Sequence, residues 1–167
     1  LLGRGATTSA ALIYETRRVG SYAYSQAFSL PSQEFSYAIF DLADPTAPVQ
    51  VGSFGAGLGF YPLAVGRDLA IAPRVFPAPL FDLSDPSQPF EVGELPTSGL
   101  GVYDAALAED RAYAWTAGEQ QPPRVWIFDV SQPAEPVELG IVEMPDRFRT
   151  ASTVVGTRLF VSGGGEF

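Results

Sequence analysis

Hydrophobic and polar positions along the chain alternate over short stretches instead of recurring every three or four residues. Val49-Gln50-Val51 and Val137-Glu138-Leu139 carry the period of two that marks a half-buried strand. Ile39-Phe40 and Leu80-Phe81 are apolar at both parities, which fits strands covered on both faces. No segment longer than about ten residues has a 3.6-residue apolar period, so no helix is expected. The pattern predicts strands near 37–42, 49–54, 61–66, 69–73, 78–83, 90–95, 102–108, 111–116, 125–130, 137–142, 150–156 and 158–163. The expected fold class is all-β.

Three of these segments are near copies. Ile39-Phe-Asp-Leu-Ala-Asp-Pro45, Leu80-Phe-Asp-Leu-Ser-Asp-Pro86 and Ile127-Phe-Asp-Val-Ser-Gln-Pro133 each continue to a second proline, at 48, 89 and 136. Each then runs through an alternating stretch to a glycine, at 52, 93 and 140. The first Asp falls at 41, 82 and 129, a period in the forties that calls for a repeat architecture. Two prolines three apart forbid a helix through the motif, so each copy reads as strand, proline-pinned turn and strand.

A second kind of hairpin lies between the copies, at Leu63–Ile71, Ala105–Ala114 and Ser152–Val161, with a shorter version at Arg18–Tyr24. Two hairpins per repeat give four short strands, the size of a β-propeller blade. A two-layer sandwich would alternate more strictly and would not repeat its turns at one period. The blades expected are 11–54, 55–95 and 96–142, with 143–167 the first half of a fourth and 1–10 an irregular segment. About 3.5 blades fall short of the four or more of a closed ring. The expectation is therefore an open arc cut from a larger propeller, continued by another Phe-Asp-x-x-x-Pro hairpin within about 25 residues of Phe167.

The consensus, apolar-Phe-Asp-[Leu/Val]-[Ser/Ala]-[Asp/Gln]-Pro-x-x-Pro-x-x-[Val/Leu]-Gly, resembles the LVIVD repeat family, over roughly residues 15–167. Tyr22-Ala23-Tyr24 and Arg111-Ala112-Tyr113 match that family's companion strand, while Leu69-Ala70-Ile71 and Leu159-Phe160-Val161 diverge from it. Gln132 replaces the second Asp of the signature. The resemblance implies a propeller, export to the periplasm, cell surface or medium, and a binding role. It implies no particular reaction.

Composition narrows the chemistry. The chain has 167 residues, 46% of them hydrophobic, enough for one domain with a sizeable core. It contains no His, Cys, Lys or Asn, so all ten cations are Arg. Zinc or copper sites built from His or Cys, a Cys nucleophile, a Ser-His-Asp triad and disulfides are all excluded. A net charge of −9 opposes binding to a phosphate backbone. No apolar run approaches the ~18 residues of a membrane helix. The chain starts at Leu1 without a basic-plus-apolar leader, as a processed product or fragment would.

Candidate residues each have a plainer alternative. Asp41/Asp44, Asp82/Asp85 and Asp129 beside Gln132 could offer oxygen ligands to calcium, but each loop supplies about two carboxylates where an EF-hand-like site needs about five or more oxygens in one loop. Capping of the proline turns is the simpler reading, and Gln132 keeps the turn without the charge. Asp104 lies on the strand expected nearest the propeller axis, with Asp146 the one obvious partner for a carboxylate pair. A structural axial Asp is the competing reading. Glu34, Phe35, Tyr37 and the loop Gly118–Arg124, stiffened by Pro122-Pro123, read as insertions able to carry recognition. Trp115 and Trp126 flank that loop, either as stacking platforms for a sugar or peptide or as blade core. Gly163-Gly-Gly-Glu-Phe167 superficially matches a diguanylate cyclase signature, but Gly165 stands where an acidic residue is required.

No catalytic, cofactor-binding or metal residue is assigned. The leading reading is a non-enzymatic scaffold that binds a protein or glycan. A carboxylate-dependent glycan hydrolase anchored on Asp104 and a purely structural spacer are the alternatives.

Overall fold

The computed structural model describes residues 11–58, 63–73, 77–118, 121–144, 151–155 and 158–162. Every regular element among them is a strand. The first sheet has the order β1 (Ala11–Val19), β2 (Tyr22–Ser29), β3 (Glu34–Asp41), β4 (Val49–Phe54), all antiparallel. The second repeats that meander with β5 (Ala64–Val65), β6 (Leu69–Ile71), β7 (Ala78–Asp82) and β8 (Phe90–Leu95). The third does so with β9 (Val102–Ala108), β10 (Arg111–Gly118), β11 (Gln121–Asp129) and β12 (Val137–Glu143). A hairpin of β13 (Ala151–Val155) and β14 (Arg158–Ser162) follows.

The repeat motif occupies the same place each time. Its apolar-Phe-Asp run ends the third strand, its two prolines shape the turn, and its alternating run is the fourth strand. One irregularity recurs with it. Ile39 pairs with Gly52 but Phe40 with Gln50; Leu80 pairs with Gly93 but Phe81 with Glu91; Ile127 pairs with Gly140 but Phe128 with Glu138. Val51, Val92 and Leu139 are thus the extra residues of three equivalent bulges, each bending the outer strand beside its glycine.

Apolar residues at both parities are accounted for by the stacking of sheets. Tyr37, Ile39 and Phe54 of the first sheet share a core with Ala70, Phe81 and Leu83 of the second. Ile71 and Leu80, one residue away on those same strands, face the other way, into a core with Ala105, Ala112, Trp126 and Phe128 of the third. Ala106, Trp115 and Val125 on the far face of the third sheet pack with Val154 and Leu159 of the last hairpin. The second sheet is therefore buried on both faces.

Two segments depart from expectation. Glu34, Phe35 and Tyr37 belong to no loop: β3 begins at Glu34 and pairs along its length with β2, burying the ring of Tyr37 against that of Phe54 at 5.3 Å. Residues 121–124 likewise extend β11, with Gln121 opposite Gly118 and Arg124 opposite Thr116. In both cases a long hairpin, and not a loop, carries the insertion. The first hairpin is also longer than Arg18–Tyr24, since β1 and β2 run from Ala11 to Ser29.

Candidate functional site

The carboxylates of the motif cap its turns. Asp41 Oδ1 accepts from the backbone N–H of Ala43 at 2.8 Å, Asp82 Oδ1 from Ser84 at 2.8 Å and Asp129 Oδ1 from Ser131 at 2.9 Å. The second carboxylate does the same one step later. Asp44 Oδ1 accepts from the hydroxyl and N–H of Thr46 at 2.6 and 2.9 Å, and Asp85 Oδ1 from those of Ser87 at the same distances. These bonds favour the charged form and hold Asp44 and Asp85 below the ordinary carboxylate range. Asp129 is lowered too, by Ser131 first and then by the Arg111 guanidinium 2.8 Å away. Where Gln132 replaces the second Asp, its carbonyl still accepts from the N–H of Glu135 at 2.9 Å, matching Asp44 with Ala47 and Asp85 with Gln88. The turn survives because that bond comes from the backbone.

The tryptophans belong to the core. Trp126 is buried, donates from Nε1 to the Thr116 hydroxyl at 2.8 Å and stacks parallel to Phe128. Trp115 is buried in the interface with the last hairpin. Neither indole presents a face to a sugar. Asp104 is also buried, on β9 opposite Trp115, and its Oδ1 accepts from the N–H of Ala105 at 2.9 Å. Asp146 and Gly163–Phe167 lie outside the described residues.

Among the openings bordered by described residues, two lie between sheets. A small one of about 200 Å³ is lined by Arg17 of β1, Ala64 and Val65 of β5, Ala105, Ala106 and Leu107 from β9, and Thr153 and Val154 of β13. β1, β5, β9 and β13, the first strands of the three sheets and of the last hairpin, thus border the same opening. A larger groove of about 520 Å³ lies between the second and third sheets, at the end where their turns emerge. Leu69, Leu107 and Val130 form apolar parts of its wall; Asp68, Asp82, Glu109 and Asp110 supply carboxylates. Arg67, paired with Asp68 at 3.4 Å, is the one cation among the lining residues, and its side chain is almost fully exposed. The turns of Asp68 and Asp110 are anchored to the ends of the third strands, because their carbonyls accept from the N–H groups of Leu83 and Val130, each at 2.9 Å.

The groove falls within the size range of a ligand pocket and is strongly anionic. Of its carboxylates, sequence reasoning singled out Asp82 alone. The signal for the others was present: the turns Gly66-Arg67-Asp68 and Glu109-Asp110 are charged, where the first hairpin turns through Gly20-Ser21. What the sequence did not show is that the two turns come together across a sheet interface.

No family model matches the chain, and no curated protein matches it either.

Proposed function

We propose that this chain is a β-propeller-type repeat scaffold that works by binding, and that its ligand is a cationic segment of a protein held in the groove between the second and third sheets. The groove itself carries the reading: four carboxylates and one exposed arginine, paired with Asp68, around a partly apolar wall. Such a surface favours guanidinium or ammonium groups and repels phosphate. The propeller arrangement is supported by the opening that β1, β5, β9 and β13 border together. Membership of the LVIVD repeats and export rest on the motif at 39–52, 80–93 and 127–140.

Titration of labelled protein with a short Arg/Lys peptide, read by amide chemical shifts, tests this. Shift changes should cluster at residues 66–69 and 107–110, weaken with salt, and vanish in Asp68→Asn/Asp110→Asn. Glu91→Gln/Glu94→Gln, which removes the same charge from β8 outside the groove lining, should leave binding intact. Equal loss in both double variants would mean only unspecific attraction to an acidic protein. Turnover of a glycan panel would replace the reading with an enzymatic one.

A further inference from the structure

The outer-strand glycines of the repeats meet different surroundings. A Cβ on Gly52 would strike the carbonyl oxygen of Pro86, in the proline turn of the next repeat, and lie 3.2 Å from its carbonyl carbon. A Cβ on Gly93 would strike the carbonyl of Pro133 in the same way. The second and third proline turns are therefore each seated on the glycine of the repeat before them. Gly140, at the same register position, has nothing within 4 Å among the described residues.

Its neighbours are uncovered as well. Two residues beyond the glycine stand Phe54, Leu95 and Val142; the first two are 7% and 1% exposed and the third 49%. One residue before it, Val51 and Val92 are packed against the cores while Leu139 is 51% exposed. The β13–β14 hairpin already covers the inner half of this face. Among the described residues β14 pairs with β13 alone, whereas β2, β6 and β10 each have strands on both sides.

We infer that the face around Gly140, Leu139 and Val142 is the seat of a fourth proline turn, and that its occupant is a two-stranded hairpin of this same repeat sequence. A second copy of the chain fits less well. Its proline turn at 44–48 is attached to a complete four-stranded sheet, and β13–β14 already fills half the space such a sheet needs. The inference rests on the stacking of repeats and is independent of the ligand proposed above.

The test is to extend the chain after Phe167 with the sequence of residues 78–95. The five residues 163–167 then stand in for the six, 72–77, that separate β6 from β7. The extended chain should melt about 4 °C or more above the unextended one, with amide protons of β14 and β12 newly protected. Gly140→Leu should abolish both gains while leaving the unextended chain's melting unchanged. If the extended chain does not fold, residues 78–95 added as a peptide should protect the same amides. Absence of protection in either format, or protection insensitive to Gly140→Leu, overturns the inference. An unextended dimer that Gly140→Leu dissociates would assign the seat to a second copy instead.

Discussion

The carbonyl of Pro133 lies where a side chain on Gly93 would begin. Neither residue is in an unusual backbone conformation. The glycine is required by the approach of a neighbouring backbone, which has no flexible end that can move aside. Gly52 and Pro86 repeat the relationship one sheet earlier. The motif thus joins two jobs: its prolines shape a turn, and its glycine receives the turn of the following copy.

Gly52→Ala and Gly93→Ala should each destabilise by about 1–3 kcal/mol, the range for overpacking an interface that cannot relax. Gly140→Ala should stay within about 0.5 kcal/mol of the parent. Urea unfolding of the three variants checks this, and equal effects at all three positions would refute the seating of turns on glycines.

Asp82→Ala removes the acceptor for the Ser84 N–H and should destabilise by about 0.5–2 kcal/mol, as loss of a local cap does. Chelator should leave the melting temperature of the parent unchanged. A fall of several degrees on adding chelator would point to a bound cation in place of a cap.

Asp44, Asp85 and Asp129 titrate below their ordinary value of 3.8 in the folded chain. Because the folded value is the lower one, their contribution is complete above about pH 4 and is lost as pH falls through the depressed range. Asp85→Asn keeps an acceptor oxygen but cannot titrate. Stability measured between pH 2 and pH 6 should therefore fall less steeply in Asp85→Asn than in the parent, and parallel curves would contradict the assignment.

Tyr37 shows the opposite sign. Burial, then the charge of Glu15, raise its phenol well above the ordinary value of 10. Its contribution is complete below pH 10 and is lost above it, where the unfolded chain ionises and the folded one resists. Alkaline unfolding followed by tyrosinate absorbance should show Tyr37 ionising only as the chain unfolds. Tyr37→Phe should flatten the alkaline limb.

Much of this fold can be read from residues. The prolines, the Asp caps and the apolar pairs Ile39-Phe40 and Leu80-Phe81 place β3, β4, β7, β8 and their counterparts, and β4, β8 and β9 fall where the pattern puts them. The bulges at Val51, Val92 and Leu139 were not legible, because a local run such as Val49-Gln50-Val51 alternates identically whether or not its partner strand skips a residue. The segments 34–36 and 121–124 look like loops because Ser, Gln, Glu and Pro weaken the strand pattern; pairing with long neighbours β2 and β10 overrides that local preference. The Trp115 and Trp126 pair shows the same limit, since only the stacking of the last hairpin and of the second sheet on the third decides that both indoles are covered. The acidic groove is a property of two turns 41 residues apart in sequence, Asp68 and Glu109, and appears only when their sheets stack.

Nuclear Overhauser contacts at the outer-strand glycines test the stacked-repeat account most directly. The close approaches of Gly52 to Pro89 Cδ and of Gly93 to Ala134 Cα predict strong contacts from Gly52 Hα to the Pro89 δ protons and from Gly93 Hα to Ala134 Hα. Gly140 Hα should show no contact to any residue distant in sequence beyond its partner strand. A folded chain lacking both predicted contacts, or one in which all three glycines behave alike, would contradict the account.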